Sequence, residues 1–115
     1  MVPDVTIVVC TRDRPVQLEA CLDALADQSY PHFEILVVNN GGSDVVSEIC
    51  RQRGVACIRE PMPGLTRARN LGARAARSEL VAYIDDDATA EPGWVAALAR
   101  EFADPRVAAV AGWTR

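Results

Sequence analysis

There is no lysine in this sequence; all 12 basic residues are arginines. That removes every mechanism needing a lysine, including the phosphate-gripping lysine of a P-loop and Schiff-base chemistry. Histidine occurs once, as His32 in the connector QSYPHF, where it reads as a surface residue. No nucleophile-elbow pattern is present, so Ser/His/Asp and Cys/His triads are set aside. The four cysteines, Cys10, Cys21, Cys50 and Cys57, include no CxxC pair, and each falls in an apolar strand or helix pattern. Buried free thiols in a reducing compartment are expected, not disulfides or zinc ligands. No apolar run approaches the roughly 18 residues of a membrane span, and no signal-peptide pattern precedes the first strand. A net charge of −4 argues against general binding to nucleic acid or anionic membranes.

What is present is ordinary for one globular domain over 1–115: 50% hydrophobic and 24% charged residues, with no repeat, linker or low-complexity segment. VTIVVC (5–10) is a β-branched run without alternation, as a strand buried on both faces requires. Pro15 to Ala26 is an amphipathic helix, with Leu18, Cys21, Leu22 and Leu25 at helical spacing and proline in its first turn. FEILVV (33–38) is the second strand. NNGGSD follows, in which Ser43 or Asp44 can cap a helix over 45–53 that breaks at Gly54. VACIR (55–59) is a third strand, EPMPG a rigid loop, and 65–76 a helix with Leu65, Ala68, Leu71 and Ala75 on one stripe. ELVAYI (79–84), a helix over 92–102 opened by Pro92-Gly93, and a fifth strand VAAVAG (107–112) complete the pattern. Strict alternation of strands and helices predicts a doubly wound parallel α/β sheet. Ending on what reads as an interior strand, the chain is expected to be the N-terminal part of something longer.

In an open parallel sheet, ligands bind outside the carboxyl ends of the strands. The segments leaving those ends are TRDR (11–14), NNGGSD (39–44), EPMPG (60–64) and DDD (85–87), all polar or Gly-rich, and all should meet on one edge. The acidic run is readable either as a solvated, turn-capping loop or as a hard-cation site. Alternation along an extended chain puts Asp85 and Asp87 on one side and Asp86 on the other. Two carboxylates aimed together suit Mg²⁺ or Mn²⁺, which would also relieve the repulsion among them. GLTRARN (64–70) opens a helix whose N-terminus offers N–H groups to anions, with Arg67, Arg69 and Arg74 close by. They form either an ordinary exposed arginine face or the walls of a diphosphate site. Trp94 reads as a packing anchor; Trp113 fits a core residue or a site wall equally.

TIVVCTRDRP, FEILVVNNGGSD, REPMPGLTRARNLGARAA and VAYIDDDATAEPGWV, in this order, closely resemble the N-terminal half of family 2 glycosyltransferases. The resemblance covers nearly all of the chain. It implies a GT-A (Rossmann-like) fold, a mostly parallel sheet with helices on both faces, cut after the fifth strand. It implies an inverting, metal-dependent enzyme that moves a sugar from a nucleoside-diphosphate donor, UDP-sugar first, to an acceptor hydroxyl on a glycan, lipid or small molecule. The implied nucleotide-sugar ligands are Thr11, Arg12, Asn39, Arg69, Asp85 and Asp86; the implied metal ligands for Mn²⁺ or Mg²⁺ are Asp87 and Asp85, in a DxD motif over 85–87. The family's acidic pair after the second strand falls on Asn39 and Asn40, so an amide stands where a carboxylate usually contacts the base. The implied general base lies beyond Arg115, and none of Glu91, Glu101 or Asp104 matches that role. The implied setting is a bacterial cytoplasm, at most peripheral at the inner membrane face.

The competing expectation is a truncated or degenerate GT-A module without catalysis, binding nucleotide or a protein partner; Asn39 and the early stop both point that way. A phosphoacceptor receiver domain has a similar length and alternation. It needs an acidic pair after the first strand and a lysine after the fifth; with no lysine in the sequence it is set aside.

Overall fold

The computed structural model describes residues 4–110. Its elements run β1 Val5–Thr11, α1 Pro15–Ala26, β2 Phe33–Asn39, α2 Asp44–Arg53, β3 Ala56–Arg59, α3 Leu65–Ala75, β4 Leu80–Asp85 and α4 Trp94–Glu101. The strands form one sheet in the order β3-β2-β1-β4, every pairing parallel. β1 lies between two neighbours, with Val9 opposite Val37 on one side and Ile84 on the other. That position accounts for its uninterrupted apolar run, because Ile7 and Val9 face one layer of helices while Val8 faces the other.

Helices α1, α2 and α4 cover one face. Leu18, Cys21, Leu22 and Leu25 of α1, Val46, Ile49 and Cys50 of α2, and Val95 of α4 close over Val5, Ile7, Val9 and Val37. Among the described residues, helix α3 alone covers the other, with Ala68 buried against Val8 and Val38. Gly72 sets its approach: a Cβ there would stand 2.5 Å from a Val8 methyl, so only glycine lets α3 sit this close to the sheet. The helix stripe is therefore Ala68, Leu71 and Gly72. The expected Leu65 and Ala75 are exposed, since the small side of α3 is the one turned inward.

From β1 the chain winds outward through β2 to β3, then crosses the opposite face through α3 and returns to place β4 beside β1. The direction of winding reverses between β1 and β4, and such a reversal opens a crevice at the carboxyl ends of the two strands. Ser43 caps α2 by accepting a 3.2 Å hydrogen bond from the Val45 N–H. α4 begins at Trp94, after a Pro92-Gly93 turn that the sequence pattern includes in the helix. The expected fifth strand does not form over Val107–Val110, which has no ladder partner; residues 111–112 of it lie outside the described residues, as does Trp113. Apolar composition favours a strand, but a strand exists only where its backbone groups pair, and Val107–Val110 does not pair with the open edge of β4. His32 is exposed, as expected, and Trp94 packs half-buried against the larger core. All four cysteines are free; Cys21 and Cys50 are buried, whereas Cys10 and Cys57 are only partly so.

Candidate functional site

Four segments meet at the crevice. An open cleft of about 380 Å³ is lined by Cys10, Thr11, Arg12 and Arg14 from the end of β1, Asn40 after β2, Gly64 and Leu65 at the start of α3, and Asp85, Asp86 and Asp87 from the end of β4. A second hollow of about 330 Å³ lies near the opposite strand ends, between Phe33–Ile35 and Gly54–Ala56.

The acidic run is not an extended strand end. The Ala88 N–H donates to the Asp85 carbonyl at 3.0 Å, closing a tight turn over 85–88, so the strand alternation expected for the three carboxylates stops at Asp85. The turn carries Asp86 inward, where it is 6% exposed, and leaves Asp85 and Asp87 open. Asp86 accepts a 2.9 Å hydrogen bond from the Thr11 hydroxyl on one oxygen and lies 3.4 Å from an Arg14 nitrogen on the other. The second terminal nitrogen of Arg14 lies 3.4 Å from Asp87. Arg69, from α3, approaches Asp85 at 3.8 Å, and its carbonyl accepts from the Tyr83 hydroxyl at 3.3 Å. The repulsion among three adjacent carboxylates is thus relieved by arginines. Both arginines are about half-exposed and their contacts are long, so these ion pairs are weak and exchangeable.

Arg14 is the residue that sequence reasoning missed; it selected Arg12, which lines the cleft but forms no ion pair among the described residues. Asp13 between them adopts φ 52, a left-handed conformation that aspartate tolerates, and the chain bends there before Pro15 starts α1. The signal available was Pro15 at N1, which fixes the preceding residue at a helix entrance beside the strand end.

The two asparagines divide their work. Asn39 is 1% exposed, and its amide is fully engaged within the β2–α2 turn. It donates to the Ser43 carbonyl at 3.0 Å and the Ser47 hydroxyl at 3.3 Å, and accepts from the Gly41 N–H at 3.1 Å. It does not line the cleft; Asn40 does. Asn40 donates to the Glu60 and Met62 carbonyls, both at 2.9 Å, and accepts from the Gly64 N–H at 3.0 Å, pinning the proline loop. Gly64, at φ 144, is the sharp corner from which α3 departs. No side chain caps α3, so the N–H groups of its first turn are left for another acceptor at the cleft.

Beneath the acidic turn, the Cys21 thiol approaches the Asp85 carbonyl at 3.7 Å. Burial, reinforced by Asp86, Asp87 and Asp85, pushes it up to about 11, so it is a neutral packing group. Among the described residues no three His, Cys, Asp or Glu side chains form a ready metal-ligand group. The acidic side chains at the cleft are the three carboxylates of Asp85, Asp86 and Asp87, and those of Asp85 and Asp87 stand open. That fits a hard cation which takes the rest of its shell from water and a ligand's phosphates.

The sequence profile described as Glycosyl transferase family 2 matches residues 6–115. Glycosyltransferase GlyA of Streptococcus pneumoniae is 30% identical over 105 residues, covering 87% of this chain and 15% of that protein. The mannosyltransferase PcManGT of Pyrobaculum calidifontis, in complex with GDP-Man and Mn²⁺, superposes with a TM-score of 0.83 at 27% identity, covering 93% of this chain and 34% of that one. TarS of S. aureus, in complex with UDP-GlcNAc, shares the fold with a TM-score of 0.74 at 21% identity, covering 89% of this chain and 31% of that one. The chain therefore spans about a third or less of the length of these relatives. Among the described residues, no helix is long and apolar enough to cross a membrane.

Proposed function

The chain belongs to Glycosyl transferase family 2, and on that premise we propose that it is the donor-binding part of an inverting, metal-dependent glycosyltransferase acting on a nucleoside-diphosphate sugar. The observation that carries this reading is the cleft at the β1/β4 reversal, where Thr11, Arg12, Arg14, the open start of α3 and the 85–87 turn converge. UDP-sugar is the first donor class to test. GDP-sugar is the alternative, favoured by the likeness to PcManGT with its GDP-Man.

In this reading Thr11 and Arg12 border the nucleoside, and Asp85 meets the ribose while sharing the cation. Arg69 and the first-turn N–H groups of α3 receive the diphosphate. Asp86, tied to Thr11 and Arg14, braces the turn from below. Asp87, with Asp85, would hold Mn²⁺ or Mg²⁺, which supplies Lewis-acid stabilisation to the negative charge on the departing diphosphate. Asn39 and Asn40 both spend their amides on the neighbouring loops, so Asn39 shapes the β2–α2 turn and Asn40, the one of the two at the cleft wall, shapes the donor site by holding the proline loop. No residue of this chain is assigned as the acceptor's general base, and the acceptor class is a glycan, lipid or small-molecule hydroxyl.

A second reading is a GT-A module that binds nucleotide without catalysis. The inward-turned Asn39 amide, where the family resemblance implies a base contact, favours it. Hydrogen exchange with UDP or GDP plus Mn²⁺ tests where the donor sits. Protection is expected at residues 11–14, 64–66 and 85–88; protection centred on the hollow at Phe33–Ala56 would contradict the assignment.

A further inference from the structure

Arg14 holds both Asp86 and Asp87 with one guanidinium, and it does so from the wall of the cleft. We propose that Arg14 is a positioning residue that occupies Asp87 in place of the cation until a diphosphate arrives, so that metal binding at this site depends on the donor. The inference rests on the donor-site reading above.

Asp86 and Asp87 are sequence neighbours in one tight turn, and without a cation between them they repel. The planar fork of an arginine spans two acceptors at fixed spacing, which a lysine point charge cannot do. Asp86 is also fixed by Thr11 and has 8% of its side chain exposed, so that arm of the bridge is anchored. The Asp87 arm is the loose one: the contact is 3.4 Å, with both partners about half-exposed. A divalent ion that binds through the Asp87 Oδ2 competes with the guanidinium for that oxygen. A nucleoside diphosphate offers the same guanidinium phosphate oxygens, with which arginine pairs well, and thereby frees Asp87. The first ligand therefore removes the obstacle to the second, a coupling that works in both directions.

The test measures Mn²⁺ affinity of the chain with and without UDP, and separately GDP, by electron paramagnetic resonance of free Mn²⁺. The same titrations are run on Arg14→Gln. The variant is expected to bind free Mn²⁺ more tightly than the parent, a gain that a merely damaged fold does not produce. The factor by which nucleotide tightens Mn²⁺ should shrink at least about fivefold. Arg14→Lys, which can reach one carboxylate at a time, should move both quantities in the same direction by less. If the parent binds nucleotide with Mn²⁺ but Arg14→Gln and Arg14→Lys leave free Mn²⁺ affinity and coupling unchanged, the role of Arg14 is wrong while the donor site stands. If the parent binds neither nucleotide with Mn²⁺, the donor-site reading itself falls and the inference falls with it.

Discussion

The Thr11 hydroxyl donates a 2.9 Å hydrogen bond to a buried Asp86 oxygen, tying the end of β1 to the turn that follows β4 across 75 positions of sequence. This bond closes the winding reversal at which the cleft forms. Thr11→Val keeps the shape but leaves the carboxylate short of a donor, and should cost about 2 kcal/mol in urea denaturation. Thr11→Ser should recover most of it. Equal stability of the valine and serine variants would show that Asp86 does not depend on this hydroxyl.

Gly72→Ala drives a methyl group to 2.5 Å from Val8, between α3 and the central strand. The overpacking should destabilise the chain by about 1–3 kcal/mol. In a Val8→Ala background the same substitution should cost less, because the clashing methyl is gone. A cost that is the same in both backgrounds would mean that α3 does not approach β1 this closely.

Asn40 makes three hydrogen bonds that hold the Glu60–Gly64 loop and, through Gly64, the start of α3. Asn40→Ala should lower stability by about 2 kcal/mol and speed exchange of the Gly64 amide about tenfold. Unchanged exchange at Gly64 would remove Asn40 as the pin of that loop.

Of the four thiols, Cys57 is the one shifted downward. A hydrogen bond from Cys50 lowers it against the opposing effect of burial, a second from Ser47 helps, and the result is about 7. Because the thiolate is the nucleophile, alkylation of Cys57 by iodoacetamide should rise through pH 7 as the proton leaves and then level off. Cys21, pushed up to about 11, should stay unreactive well above that pH. Ser47→Ala removes one donor and should move the Cys57 midpoint upward. A Cys57 midpoint at the ordinary thiol value of 9.0 would contradict the hydrogen-bonded arrangement.

The central strand was readable because burial on both faces demands an unbroken β-branched run, and VTIVVC complies; FEILVV and ELVAYI were readable as short apolar runs ended by polar turns, although β4 is only partly buried. Convergence of the segment after β1, Asn40 after β2, the end of the proline loop and the acidic run followed from parallel topology alone. Details that depend on one backbone angle were not legible. Arg12 and Arg14 are equivalent in composition, and the left-handed Asp13 between them separates their positions. Asn39 and Asn40 are identical neighbours, and only the path of the loops decides which one is consumed by the β2–α2 turn. Alternation already separated Asp86 from Asp85 and Asp87; the turn over 85–88 and the hold of Thr11 and Arg14 on Asp86 were not legible. VAAVAG has the composition of a strand, but its described part, Val107–Val110, does not pair with the open edge of β4.

The most direct measurement is calorimetry of UDP and GDP binding, with Mn²⁺ and with chelator, to the chain and to Asp87→Asn. Binding of one nucleotide should require Mn²⁺ and weaken at least about tenfold in Asp87→Asn, since an amide replaces a charged ligand of a hard cation. Binding that is equally tight with chelator, or unaffected by Asp87→Asn, would contradict a metal-dependent donor site at the 85–87 turn.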